Sequence, residues 1–173
     1  MNLNVFDDKV PYDIRNSLWS TSTHSYFKLG WQDTNQPEKY ELNAHWDVPL
    51  SALESEEGIG IMSYFQQCID DTEWFKDKKP RKAVLNLVRS DDVHYIHDHP
   101  DQYALLYYIN LEWRDGWHGE TLFYDPCDND KISFASPYKP GRIILFDGKI
   151  PHAIRPQSIK GPKFRFTLSL FFA

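Results

Sequence analysis

The chain has 173 residues, 41% of them hydrophobic, which is enough for one domain with a substantial core. Its formal net charge is −6 and no basic tract overrides it, so neither nucleic acid nor an anionic membrane is an expected partner. No apolar stretch approaches the ~20 residues that span a bilayer. The opening "MNLNVFDDKV" lacks the apolar run of a signal peptide, and Cys68 and Cys127 fit no disulfide or zinc spacing; both point to a cytoplasmic protein with reduced thiols.

In chain order, "VPYDIRNSLWSTST" reads as a helix, with Pro11 at its start and Ile14, Leu18 and Trp19 at helical spacing. "YELNAHWDVP" alternates through Tyr40, Leu42, Ala44 and Trp46 and reads as a strand stopped by Pro49. "GIMSYFQQCIDDTEWF" places Ile61, Tyr64, Phe65, Cys68 and Ile69 on one face of an amphipathic helix. From residue 81 onward the chain is a succession of short strands: "KAVLNLVRS", "YALLYYIN", "GETLFYDP", "KISFAS", "GRIILFDG", "HAIRPQS" and "RFTLSLFF". Close-spaced strands with Gly and Pro punctuation indicate a sandwich, jelly roll or barrel, and 6 Trp, 10 Tyr and 11 Phe suit such a β-rich core. The N-terminal helices are expected to cover one outer face of the sheet.

Chemistry concentrates in "VHYIHDHPDQ", which holds His94, His97, His99 and Asp101. On extended chain, residues i and i+2 point to the same side, so His99 and Asp101 are placed to share a metal. His152, after the apolar strand "RIILF", supplies a third donor. Two histidines and one carboxylate make the facial triad of non-haem Fe(II) oxygenases, with three positions left for oxidant and co-substrate. His97 shares the same face on continuous extended chain; it is the alternative ligand, or a hydrogen-bond partner of the carboxylate. His-x-Asp by itself also occurs in surface loops. In "RFTLSLFF", alternation puts Arg165, Thr167 and Ser169 opposite a wholly apolar face. Such a face is either solvated or lines a cavity for an anion. With His152 on the preceding strand segment the second reading is favoured, because a guanidinium binds a carboxylate bidentately.

These residues together resemble a known family. "HPD", "LLYYIN", "WHGETLFY", "PGRIILFDGKIPHAI" and "RFTLSLFF" are similar, in order and spacing, to the double-stranded β-helix core of the Fe(II)/2-oxoglutarate-dependent oxygenases, in the prolyl-4-hydroxylase-like branch. The resemblance is strong over 81–173 and looser over 1–80. It implies a single domain of mostly β (α+β) class: a jelly-roll core with supporting N-terminal helices on one face. It implies Fe(II) held by His99, Asp101 and His152, and 2-oxoglutarate with its distal carboxylate on Arg165. Tyr108 matches a tyrosine that bonds the same carboxylate, with a core tyrosine as the equal alternative. Thr167 is a further contact to that group or a packing residue. The chain departs from the pattern in its short loop after Asp101 and in His118, expected to be exposed, where a glycine is common.

The implied activity is a dioxygenase reaction that consumes O2 and 2-oxoglutarate, releases succinate and CO2, and hydroxylates an aliphatic C–H. The substrate implied is a peptidyl proline, with a free amino acid or other small metabolite as the alternative. Tyr95, Tyr103, Trp113, Trp117 and Arg155 are candidates for the substrate rim, or for packing and plain surface. Two readings of other classes stand beside this one. One is a cupin-like dioxygenase using several of the clustered histidines without 2-oxoglutarate. The other is a non-catalytic jelly-roll binding module.

Overall fold

Two antiparallel sheets face each other across an aromatic interior in the computed structural model, which describes residues 1–32, 40–56 and 58–173. The elements in chain order are β1 (Leu3–Phe6), α1 (Tyr12–Thr23), β2 (Lys28–Gln32), β3 (Tyr40–Val48), α2 (Met62–Asp70), β4 (Pro80–Val88), β5 (Tyr103–Tyr108), β6 (Thr121–Asp125), β7 (Asp128–Ser136), β8 (Ile143–Asp147), β9 (His152–Ile154) and β10 (Arg165–Phe172). Among the described residues the large sheet runs β1-β8-β5-β10-β4-β3-β2 and the small one β7-β6-β9.

The expected strands from residue 81 onward are all present, and both expected helices form. Pro11 stands at the N-cap of α1, where its missing N–H costs nothing. Two strands were not anticipated. β1 is only four residues long and pairs with β8 from Leu3↔Phe146 to Phe6↔Ile143. β2 is interrupted in register between Leu29 and Trp31, around Gly30 at φ 87°.

Each face of the large sheet has its own job. The outer face carries Leu85, Leu105, Tyr107, Phe166, Leu168 and Leu170, covered by Leu18 of α1 and by Phe65, Cys68 and Ile69 of α2. The helices therefore bury one side of the sheet, as expected, and leave the other side for the space between the sheets. That space is filled at one end by Tyr108, Phe123, Tyr138, Ile144 and Phe146. Toward the other end it opens into a cavity.

β10 sits at the centre of the large sheet between β4 and β5, with Thr167 opposite Asn86 on one side and Tyr108 on the other. Its alternation divides as read from the sequence. Phe166, Leu168 and Leu170 join the helix-covered core, while Arg165, Thr167 and Ser169 line the cavity.

No helix among the described residues is long and apolar enough to cross a membrane.

Candidate metal centre

The histidine-rich segment approaches the end of β8 and the start of β9. His97 forms an antiparallel bridge with His152: the His97 amide donates to the His152 carbonyl at 3.0 Å and the reverse bond measures 2.9 Å. Two residues on, the His99 amide donates to the Gly148 carbonyl at 2.7 Å. Only a glycine permits that approach, because a Cβ at position 148 would stand 2.4 Å from the His99 carbonyl oxygen.

One nitrogen from each of His97, His99 and His152 lies within 4.8 Å of the others. Nδ1 of His97 lies 3.1 Å from the Tyr95 carbonyl, and Nδ1 of His152 lies 2.9 Å from the Ile150 carbonyl. A carbonyl only accepts, so at each contact Nδ1 is the donating nitrogen, and a metal would be taken at Nε2. His152 is buried, and burial first, then the charges of His97 and His99, holds its pKa well below the usual histidine value. It is therefore a neutral donor at neutral pH.

Asp101 is not a member of this group. The extended chain ends at His99. The Gln102 amide donates back to the His99 carbonyl at 3.2 Å, which makes 99–102 a turn with Pro100 and Asp101 at its corner. Asp101 has φ 65° and is exposed. Proline followed by a left-handed residue is turn chemistry, and it cancels the alternation that placed the Asp101 carboxylate beside His99.

Arg165 is fully buried. Its Nε donates to the Gly119 carbonyl at 3.0 Å and its Nη2 to Thr121 Oγ1 at 3.2 Å, while Nη1 is buried without a partner. The guanidinium carbon lies 5.4 Å from the Tyr108 ring centre and 4.9 Å from that of Tyr138. Both hydrogen-bond acceptors are neutral. Burial pulls the pKa of Arg165 below its usual value, with Tyr108, Tyr138 and Glu120 opposing the shift. A buried cation with one N–H edge unused is matched to an anion.

Tyr108 is also fully buried, and its hydroxyl donates to Thr121 Oγ1 at 2.8 Å. Thr121 thus accepts from both Tyr108 and Arg165 and keeps its own hydroxyl hydrogen for a further acceptor. Sequence reasoning missed this residue, although it lies in the quoted run "GETLFY". Thr121, Thr167 and Arg165 line a cavity of about 440 Å³ together with the three histidines.

The wall toward β3 and β4 was missed as well. Asn43, His45, Asp47, Lys82 and Asn86 line it, and the signal was available: each alternates with apolar Ala44, Trp46, Val48, Ala83 and Leu85. Conversely, Tyr95, Tyr103, Trp113, Trp117 and Arg155 do not line this cavity. Tyr103 packs on Trp74 and Phe75, and Trp113 lies against Tyr138 with ring centres 4.1 Å apart. Arg155 is exposed, 3.7 Å from Glu120. His118 is half-buried rather than exposed and has φ 59°, a backbone that favours the glycine common at that position; its carbonyl accepts from Trp113 Nε1 at 2.8 Å.

No family model matches the sequence, and no curated protein matches it either. Solved structures do. A prolyl hydroxylase of Trichoplax adhaerens, in complex with a hypoxia inducible factor peptide fragment, superposes with TM-score 0.69 at 14% identity over 99% of this chain and 83% of that one. The fold is that of the prolyl-4-hydroxylase-like 2-oxoglutarate oxygenases. A prolyl-4-hydroxylase of Pseudomonas putida gives TM-score 0.69 at 13% identity, covering 99% of this chain and 91% of that one. HygX of Streptomyces hygroscopicus, with nickel, 2-oxoglutarate and hygromycin B bound, gives 0.63 at 11% identity, covering 99% and 82%. The double-stranded β-helix expected from the sequence is thus the fold observed.

The residues present fit the two groups that this fold family uses. Three imidazole nitrogens suit Fe(II) as well as other divalent transition metals. The unused Nη1 of Arg165 and the free hydroxyl hydrogen of Thr121 suit a carboxylate.

Proposed function

We propose that this protein is an Fe(II)- and 2-oxoglutarate-dependent dioxygenase that hydroxylates an aliphatic C–H. The observation that carries this reading is the pairing, in one cavity, of the His97–His99–His152 group with the buried, half-used guanidinium of Arg165. His99 and His152 are the ligands read from the sequence, and His97 joins them. Arg165 holds the distal carboxylate of 2-oxoglutarate, and Thr121 donates its hydroxyl hydrogen to the same group. Tyr108 acts through Thr121, fixing the orientation of that hydroxyl. Thr167, buried on the same wall, shapes the space beside the carboxylate.

The bound metal and 2-oxoglutarate supply the redox chemistry: one oxygen atom of O2 goes to succinate as CO2 leaves, and the other enters the substrate C–H as hydroxyl. The chain supplies binding, orientation and water exclusion. Phe123, Phe146 and Phe171 pack around His152 and His99 and keep that side of the centre dry. We propose a peptidyl proline as substrate, recognised along the polar wall of Asn43, His45 and Asn86. Two of the structural neighbours support that class, one being a complex with a peptide fragment. A small-molecule substrate is the alternative, since another neighbour has hygromycin B bound.

The test is an anaerobic visible spectrum with Fe(II), before and after addition of 2-oxoglutarate. A charge-transfer band that needs both, followed by succinate formation in air, is the expected result. A folded protein that gives no band refutes the reading and favours a binding module. A screen of proline-containing peptides against free amino acids then separates the two substrate classes.

A further inference from the structure

Two buried asparagines of this protein are treated differently by the fold. Asn110 is fully engaged: its Oδ1 accepts from the Tyr138 hydroxyl and from the Phe166 amide, each at 2.8 Å, and its Nδ2 donates to the Phe164 carbonyl at 3.0 Å. Asn43 on β3 is buried to a similar degree, 6% exposed against 3%, yet its Oδ1 is buried without a hydrogen-bond partner among the described residues. The same holds for Nδ1 of His45, two residues along the strand. A buried polar atom left unpaired destabilises a fold, so two of them on one strand require an explanation.

Both side chains line the cavity that holds the three histidines and Arg165. Residues i and i+2 of a strand point to one face, so the two groups lie side by side. His45 stands opposite Lys28 of β2 and Asn86 of β4, which keeps its main chain within the sheet and leaves the side chain to bind. Asn86 differs from them, because its Nδ2 already donates to Ser169 Oγ at 3.2 Å. The cavity is graded from apolar to polar. Phe171 meets the His99 ring and Phe146 the His152 ring, each with centres 4.9 Å apart, and Ala104 and Leu106 continue that lining. β3 lies two strands from β10, roughly 10 Å across the sheet. An aliphatic carbon suits the metal end of the cavity, and a hydrogen-bonding group suits the β3 end.

We propose that Asn43 and His45 form a subsite for the main-chain edge of an extended peptide. Asn43 Oδ1 accepts one N–H, and His45 Nδ1 donates to the C=O that leaves the same residue on the same side. Where the reacting residue is a proline, which has no N–H, the residue read here is a neighbour of it. The inference rests on the oxygenase reading for what happens at the metal. It adds that the substrate is an acylated chain rather than a free amino acid, since Asn43 carries no charge to offset an ammonium. It also assigns the two unpaired atoms a purpose: they lower the stability of the empty fold and are satisfied by the peptide.

Two measurements test this. Asn43→Leu deletes the unpaired oxygen, so its melting temperature should lie about 2–4 °C above that of wild type. A melting temperature at or below the wild-type value would make Asn43 a structural residue and overturn the proposal. The second measurement is equilibrium binding to the Co(II)-loaded protein with 2-oxoglutarate, so that no turnover is needed. The probes are acetyl-Ala-Ala-Pro-Ala-Ala-amide and a set of analogues in which one alanine N–H at a time is replaced by an ester oxygen. One analogue should bind wild type about 3- to 10-fold more weakly than the parent peptide, and that difference should vanish in Asn43→Leu. His45→Phe should weaken the parent by a similar factor and keep the difference. A wild type that does not bind the parent, or binds every analogue equally, overturns the proposal, as does a difference that survives in Asn43→Leu. The outcomes stay separate from those of the oxygenase reading. An ester effect that depends on Asn43, with no Fe(II)–oxoglutarate band, sinks that reading alone; a band with no ester effect sinks this one alone.

Discussion

His97 and His152 face each other across a single antiparallel bridge and exchange both of its backbone hydrogen bonds, with ring centres 4.5 Å apart. The main-chain pairing therefore fixes the points from which two proposed ligands leave the backbone. A site built this way is preorganised, and its weak points lie where the backbone pairing itself is delicate.

Gly148 is the first such point. Gly148→Ala forces a Cβ into the carbonyls of His99 and Gln102, at 2.4 and 2.5 Å. Overpacking against backbone costs about 1–3 kcal/mol, and relief here requires His99 to move. The expected outcome is a lower melting temperature together with a weaker metal affinity, read by thermal unfolding with and without Co(II). A variant that loses stability but keeps its metal affinity would show that His99 does not depend on this contact.

Arg165→Ala removes one side of the proposed charge pair with the co-substrate. Truncating a buried charged partner costs about 2–5 kcal/mol, so the 2-oxoglutarate requirement should rise by about 30-fold or more. Arg165→Lys should recover part of this but not all, because an ammonium cannot bond Gly119, Thr121 and a carboxylate in one plane. Equilibrium binding of 2-oxoglutarate to the metal-loaded protein measures both. An affinity unchanged by Arg165→Ala would place the oxoacid elsewhere.

Thr121 and Tyr108 should differ in a graded way. Thr121→Val deletes the hydroxyl proposed to face the carboxylate and the Oγ1 acceptor of Arg165 Nη2, and leaves the Tyr108 hydroxyl with the Ser136 carbonyl at 3.4 Å, so a loss of about 1.5–3 kcal/mol in 2-oxoglutarate binding is expected. Tyr108→Phe removes the bond that orients Thr121, together with the longer one to the Ser136 carbonyl, and should cost about 0.5–1.5 kcal/mol. The order of the two effects is the test: a larger loss in Tyr108→Phe would mean that the phenol contacts the co-substrate itself.

Acid should weaken the metal-free fold through His152. Its imidazole is neutral in the folded protein because it is buried, while in the unfolded chain it titrates near 6.5. The folded pKa is the lower one, so the unfolded state holds more protons between the two values. Stability is full above pH 6.5 and falls as the pH drops below it, by at most about 1.4 kcal/mol per pH unit for one proton. Urea unfolding in the presence of a chelator, from pH 7.5 to 5 by design, should give a shallower slope for His152→Gln than for wild type. Equal slopes would assign the acid sensitivity to other groups.

The fold was largely legible because the strands of the second half alternate cleanly, and β10 in particular declares both of its faces in eight residues. β1 was not legible: it is short and half-buried, and its place beside β8 is a matter of tertiary pairing, not local pattern. At the site, spacing singled out His99, His152 and Arg165, which the fold brings to one cavity. The misplacement of Asp101 has a local cause. Period-2 reasoning was carried through "HPD" although Pro100 and an aspartate are residues that turn the chain, and the sheet register that brings His97 level with His152 cannot be seen from the sequence. Thr121 was hidden for a similar reason, because its role arises from two side chains 13 and 44 residues away.

The central position of β10 also bears on how the chain reaches its folded state. β4 and β5 do not pair with each other; β10 enters between them, with Thr167 meeting Asn86 and Tyr108. The intervening loops must close before any of those pairings is rewarded, which makes insertion a slow, late event. Until it happens β4 and β5 each present an open edge, the state most prone to aggregate. Arg165 becomes buried in that same event. Ligand competence and completion of the sheet should therefore emerge together in refolding, with no partly folded species that binds the oxoacid.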